Sequence, residues 1–319
     1  MFMEVTLIDN QGNTDSINVL RGNIQTELNT GNSVLIKLLQ PGVMYEKNNR
    51  WYSVVDFINE WEGKAVRFLS NFVPLKECKV QFNYSNDMFF TGPKLYKENE
   101  MCKNLLTKLI ATDQKKAGKQ WDLLLGEASE NKDWLYETIQ NHPVCDSTFL
   151  TYFGKDTNKG YWSDDVVRPK KHTAETLGPF ANRFNTQIRC SDLIDPAIYN
   201  MTHYTAMIET TIHNDFAMFS EKEAKPIIAK RPFIIFGACG QLKAFRSLGF
   251  KSFGSVIDES YDTIEDQHER WQKALDSMLQ LTKMNHIKVY NELAEVLLHN
   301  KNHFENSDWK RCLTWDSYQ

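Results

Sequence analysis

No run of about eighteen consecutive apolar residues occurs in the 319-residue chain, which removes the usual signature of a membrane-spanning helix. The opening Met1-Phe-Met-Glu-Val-Thr-Leu7 reads as a first strand rather than a signal peptide. An intracellular, cytoplasmic protein without a membrane partner is therefore expected. The six cysteines, at 78, 102, 145, 190, 239 and 312, include no C-x-x-C pair, so they read as reduced thiols, not as a disulfide framework or a zinc site. Excess positive charge is also missing. A net charge of −4 and a pI near 6.1 argue against strong nonspecific adhesion to a polyanion, because that adhesion scales with the phosphates neutralised. Internal repeats and low-complexity segments are absent as well.

Hydrophobic residues make up 41% of the chain and aromatics 12%, enough to pack more than one core at this length. In the first third, strands are expected at Glu4–Ile8, Ser33–Leu39, Trp51–Val55 and Lys79–Phe82, separated by turn signals such as Asn29-Thr-Gly-Asn32 and Gln40-Pro-Gly42. Helices are expected at about 55–71 and 98–112. The polar stretch Lys115-Lys116-Ala-Gly118-Lys119 reads as a linker. Trp121–Leu125, Gly126 and a helix from about Asn131 to Gln140 then form the strand, glycine and helix that open a doubly wound domain. Val144–Tyr152, Tyr204–Thr211, Phe233–Phe236 and Phe253–Ile257 read as further strands, with helices at about Gln241–Leu248 and Thr263–Thr282. Such alternation implies an α/β fold with parallel strands. The expected organisation is two Rossmann-like lobes, residues 1–115 and 116–285, followed by C-terminal amphipathic helices over 286–319 that pack back on the first lobe.

The most informative stretch is Met207 to Phe253. The cluster Ser220-Glu221-Lys222-Glu223-Ala224-Lys225 precedes Pro226, and Pro232-Phe-Ile-Ile-Phe-Gly237 reads as a buried parallel strand ending in glycine. A helix N-terminus offers unpaired N–H groups and partial positive charge, on which a diphosphate can dock without a metal ion. Lys222 and Lys225 would add full charge, and Glu221 suits the paired hydroxyls of a ribose. The plainer reading makes Glu221 and Lys225 an i,i+4 ion pair on a solvated helix, worth about 0.3–0.5 kcal/mol.

Several blocks together resemble the donor-binding motif of GT-B glycosyltransferases: Ile208-Glu209-Thr210, Phe219-Ser220-Glu221-Lys222, Lys225-Pro226-Ile227 and Arg231-Pro232-Phe233. The pattern is most similar to that of the α1,3-fucosyltransferases, where a Glu is followed about ten residues later by Thr/Ser-Glu-Lys. Leu242-Lys243-Ala244-Phe245-Arg246-Ser247-Leu248-Gly249-Phe250 and Ile257-Asp258-Glu259-Ser260-Tyr261-Asp262 extend the resemblance to glycosyltransferase-like proteins of tailed phages. It covers about the last two thirds of the chain, most specifically 195–305.

The resemblance implies transfer of a sugar from a nucleoside-diphosphate sugar, UDP-sugar favoured, to a hydroxyl acceptor. Lys222 and the N–H groups near Ser220 would meet the leaving diphosphate, with Lys225 as a second cation. Glu221 would hold the ribose, and Glu209 would contact sugar or nucleotide. Lys132 is the nearest cation to where fucosyltransferases place a phosphate-binding Arg. A general base is expected from the first lobe, and neither a cofactor nor a metal is called for. With a phage source the location would be the host cytoplasm, and the acceptor hydroxymethylated cytosine in double-stranded DNA, contacted by the basic cluster Arg168, Lys170 and Lys171. The alternatives are a glycan or protein acceptor, or a catalytically silent sugar- or nucleotide-binding protein. A monomer or weak dimer is expected. Trp51, Tyr52 and Trp61 could stack on an extruded base but suit a core better. Ser163-Asp164-Asp165 reads as a solvated turn, and His299/His303 as a helical pair without a third metal ligand.

Overall fold

The structure is a computed structural model that describes residues 2–7, 14–38, 45–47, 50–52, 54–70, 72–80, 82–84, 96–115, 118–126, 129–152, 193–209, 212–307 and 313–314. It is mixed α/β, built on parallel sheets. In chain order, strand β1 (Phe2–Leu7), helix α1 (Thr14–Asn29) and strand β2 (Ser33–Leu38) open the fold. The hairpin β3 (Tyr45–Lys47) and β4 (Arg50–Tyr52), helix α2 (Val54–Asn59), and strands β5 (Val66–Ser70), β6 (Phe72–Pro74) and β7 (Phe82–Tyr84) follow. The first sheet has the order β1-β2-β5-β7, all parallel, with β13 (Leu313–Thr314) added antiparallel at the β7 edge.

The second sheet comes from α3 (Glu100–Thr107), β8 (Trp121–Leu125), α4 (Glu130–Gln140), β9 (Thr148–Tyr152), α5 (Pro196–Met201) and β10 (Tyr204–Ile208). Strand β11 (Phe216–Met218), α6 (Glu221–Ile228), β12 (Phe233–Phe236), α7 (Gln241–Ser247), α8 (Gln267–Thr282) and α9 (His286–Asn306) complete it. Its order is β12-β10-β8-β9, all parallel. Strands β10 and β12 are buried at every position, as a sheet covered on both faces requires. Because β9 lies on one side of β8 and β10 on the other, the strand order reverses between β8 and β10. Ligands of such sheets bind outside the carboxyl ends at that point.

Each sheet has its own buried cluster. The smaller includes Ile24, Ile36, Phe57 and Phe68; the larger includes Trp121, Leu123, Ile234, Phe245, Trp271 and Phe304. Strands β6 and β11 pair antiparallel between them. Adjacent strand residues point to opposite faces, and here Val73 and Ala217 join the larger cluster while Phe72 and Phe216 join the smaller.

Four expectations are corrected. The helix expected over 55–71 ends at Asn59, and Val66–Ser70 is a strand paired to β2; Gly63, at φ 70°, turns the chain between them. Phe253–Ile257 is a turn rather than a strand, because the Phe253 N–H donates to the Glu259 carboxylate and the Ile257 N–H to the Phe253 carbonyl. Residues 96–115, expected to end the unit of the first sheet, pack with the second instead: Tyr96, Cys102 and Leu105 lie in the larger cluster, and the Tyr96 hydroxyl accepts from Ile194 N–H. Helix α9 likewise buries Val289, Leu293, Leu297 and Phe304 in that cluster, and among the described residues of the C-terminal segment it is Leu313–Thr314 that pairs with the first sheet.

Candidate functional site

Glu209 follows β10 at the carboxyl edge of the sheet and is 3% exposed. Its N–H donates to Phe236 O, so the parallel register with β12 fixes its backbone. The chain then passes through β11 and returns at Ser220, the N-cap of α6. Ser220 Oγ donates to Glu209 Oε1 at 2.9 Å and accepts from Lys222 N–H at 3.3 Å. The Ser220 N–H donates to Glu223 Oε2 at 2.8 Å, completing a capping box, the reciprocal arrangement that satisfies two orphan donors of a helix start. Lys222 Nζ lies 3.2 Å from Ser220 Oγ, 3.7 Å from Glu209 Oε2 and 3.5 Å from Glu221 Oε1.

Three carboxylates and one ammonium are thus gathered at a helix start. Burial alone would lower the pKa of Lys222, but Glu209, Glu221 and Glu223 outweigh it and hold the ammonium above its ordinary value. For Glu221 burial pushes up, yet Lys222 and Lys225 prevail and keep it below the carboxylate range. Glu223 goes the other way. Complete burial, then the charge of Glu209 and a hydrogen bond with it, raise its pKa well above normal. Glu223 is thus the carboxyl group of the cluster whose surroundings favour the protonated form.

The structure therefore brings Glu209, Ser220, Glu221 and Lys222 together. Lys225 lies one turn further along α6 and lines, with Lys222, a small cavity over β10 that also contains Asp122 and Asp195. Lys132 is buried near the start of α4, which follows the neighbouring strand β8. Arg168, Lys170 and Lys171, with Ser163–Asp165, lie outside the described residues. Sequence reasoning did not single out Glu223, although the spacing Ser220-x-x-Glu223 is the capping-box signature. It also missed the Asp122–Arg231 pair, whose members are far apart in the chain.

That pair lies at the amino ends of β8 and β10, on the opposite edge of the sheet from Glu209. Arg231 Nη2 donates to Asp122 Oδ2 at 2.7 Å, Thr202 Oγ1 at 2.9 Å and Tyr204 O at 3.1 Å. Its Nη1 donates to the Tyr199 and Thr202 carbonyls and its Nε to Thr205 Oγ1. Both side chains are about 2% exposed.

The other residues weighed as candidates have structural work. Asp258 pairs with Lys273 at 2.9 Å. Glu259 accepts from Ser252 Oγ and Phe253 N–H, and Asp262 caps α7 through Leu242 and Lys243 N–H. His299 and His303 place their Nε2 atoms 2.9 and 2.6 Å from the carbonyls of Gly249 and Leu248. Trp61 is buried in the smaller core. The four described cysteines, 78, 102, 145 and 239, form no disulfide with one another. No group of three or more His, Cys, Asp or Glu side chains among the described residues is arranged to hold a metal ion, and no described helix is long and apolar enough to cross a membrane.

Chemically, the cluster offers carboxylate acceptors suited to paired hydroxyls, one ammonium and one carboxyl proton, at the sheet edge where the strand order reverses. No protein-family model, no curated protein and no solved structure matches the chain.

Proposed function

We propose that the chain is a glycosyltransferase of the GT-B type, its two sheets forming two Rossmann-like lobes, and that it binds a nucleoside-diphosphate sugar, UDP-sugar first, at the Glu209 cluster. The observation that carries this reading is the position of Glu209. It stands at the reversal point of a parallel sheet, held by Ser220 and neighboured by Lys222. Glu209 and Glu221 supply acceptors for ribose and sugar hydroxyls. Lys222 supplies positive charge as the bond from the anomeric carbon to the diphosphate oxygen breaks and the acceptor oxygen bonds to that carbon. The acceptor proton passes to a base. The favoured acceptor is hydroxymethylated cytosine in DNA, and a glycan or protein hydroxyl is the alternative.

A second reading, a protein that binds sugar or nucleotide without transfer, is favoured by one feature. The N–H of Lys222 is already taken by Ser220, and the Lys222 ammonium is already paired with Glu209 and Glu221. The polyol part of a ligand is then better served than its phosphates.

A thermal-shift screen against UDP, GDP, ADP, CMP and TDP, with and without divalent metal, tests both readings. A ligand at about 100 times its dissociation constant adds roughly 2.7 kcal/mol. A selective response lost in Lys222→Met, followed by sugar transfer from the matching donor to hydroxymethylated DNA, is the result expected of the transferase. A response with no transfer to any acceptor and no donor hydrolysis supports the binding protein. No response to any nucleotide removes the transferase and leaves the protein that binds sugar alone.

A further inference from the structure

On the other edge of the second sheet, at the amino ends of β10 and β12, a cavity of about 690 Å³ opens between the segment from Leu106 to Lys115, the end of α6, and α9. Leu106, Leu109, Ile228 and Leu297 make its walls apolar. Ile110 and Leu298, which also line it, are 45% and 51% exposed and belong to the small set of large apolar side chains left in water among the described residues.

Every charged residue lining this cavity is a cation: Lys115, Lys230, Arg231 and Lys301, with no carboxylate among the lining residues. Arg231 spends its guanidinium on Asp122 and its neighbours, and Lys301 pairs with Glu305. Lys115 and Lys230 remain. Lys115 Nζ donates to the carbonyls of Tyr199 and Thr202 at 3.0 and 3.5 Å, and an ammonium has a third N–H to give. The Lys230 side chain makes no hydrogen bond or ion pair among the described residues.

We propose that this cavity binds a small amphipathic anion, with an aliphatic or aromatic body against the leucine and isoleucine walls and a carboxylate, sulfonate or phosphate headgroup on Lys115 and Lys230. The volume falls in the range of small-molecule sites, and a charge is carried into an apolar pocket only where an opposite charge meets it. Lys115 is under electrostatic load in the absence of such a partner: burial, then the charge of Arg231, lower its pKa to about 7, with Asp122 opposing. His203 and the carbonyls of Tyr199 and Thr202 complete its polar surroundings. An arriving anion relieves that load and returns the proton. The site is separate from the Glu209 cluster, and its failure would leave the proposed function untouched.

The test is a fluorescence titration of the full chain with anilinonaphthalene sulfonate, an aromatic anion, followed by competition with decanoate and with decyltrimethylammonium. The expected result is one saturable enhancement, displaced by decanoate and not by the cation, and weaker at pH 9 than at pH 7. Lys115→Met weakens it about tenfold, as loss of one charge-assisted hydrogen bond predicts. Ala294 is an exposed lining residue on α9, so Ala294→Trp should close the cavity and abolish binding at an unchanged melting temperature. This variant decides the matter if Lys115→Met fails to fold. Absence of saturable binding, equal displacement by both detergents, or full affinity in folded Ala294→Trp would overturn the proposal.

Discussion

Glu223 and Lys115 give the fold two opposite pH dependences. The Glu223 carboxyl is raised above its ordinary value, so beyond the normal glutamate range the folded chain holds more protons than the unfolded one. Stability from this group is complete in acid and falls as pH rises through the folded pKa. Glu223→Gln keeps an acceptor for Ser220 N–H and removes the titration. Urea unfolding of this variant should show a flatter pH profile above about pH 5, and Glu223→Ala, equally flat, should lie about 1 kcal/mol below it through the broken cap. A Gln variant with the wild-type slope would sink this account. Lys115 runs the other way. Its pKa falls from 10.5 to about 7 on folding, so between those values the unfolded chain binds more protons and stability rises with pH. Lys115→Met should remove that rise.

Asp122 and Arg231 illustrate why a buried pair is judged by what its loss exposes. Removing Arg231 leaves a carboxylate at 1% exposure without its counter-charge, and Arg231→Met should cost about 3–5 kcal/mol. Adding Asp122→Leu should recover most of that. Thermal melts of the single and double variants decide the matter, and an additive double variant would contradict it.

At the scale of elements, the legible parts of the sequence are those whose burial runs through all or all but one of their residues. Trp121–Leu125, Tyr204–Ile208 and Phe233–Phe236 announce buried parallel strands because apolar residues fall on both faces, with Asp122 and Thr205 the polar exceptions. Val66–Ser70 reads as helix because Arg67 within it continues the helical pattern of the preceding α2, Val54–Asn59, across Gly63. Helix α1 drew no expectation at all. The Ser220 helix start was legible from Ser-Glu-Lys, but the meeting of Glu209 with Glu223 was not, since it depends on the register of β10 and the return path through β11. Local chemistry can be read from neighbours in sequence, and a contact set by sheet pairing cannot.

Helix α7 offers a test at the same scale. It ends at Gly249, with φ 92°, a left-handed position that favours glycine. A Cβ there would lie 2.7 Å from His303 Nε2, an atom already bonded to the Leu248 carbonyl. Gly249→Ala should destabilise by roughly 1–3 kcal/mol. The double variant with His303→Ala should recover only the part due to the clash, because the backbone strain remains. Full recovery in a denaturation series would refute the strain argument.

For the whole molecule, two buried clusters of unequal size predict unequal resistance to unfolding. Trp61 reports on the smaller one and Trp121 and Trp271 on the larger. Amides of β1, β2 and α1 should exchange with deuterium sooner than those of β8, β10 and β12. Single coincident protection across both sheets would show that the β6–β11 ribbon couples them into one cooperative unit.

The order in which the clusters are completed along the chain bears on synthesis. Strands β1, β2, β5 and β7 all lie before residue 85, so the first sheet can assemble while most of the chain has yet to leave the ribosome. The larger cluster stays open until Phe304 arrives to pack against Phe250, and Leu313–Thr314 then adds to a sheet made long before. Until that moment Trp121, Ile234 and their neighbours are exposed apolar surface, the usual substrate of chaperones. A nascent chain halted between Phe253 and Phe304 is therefore the form most in need of protection.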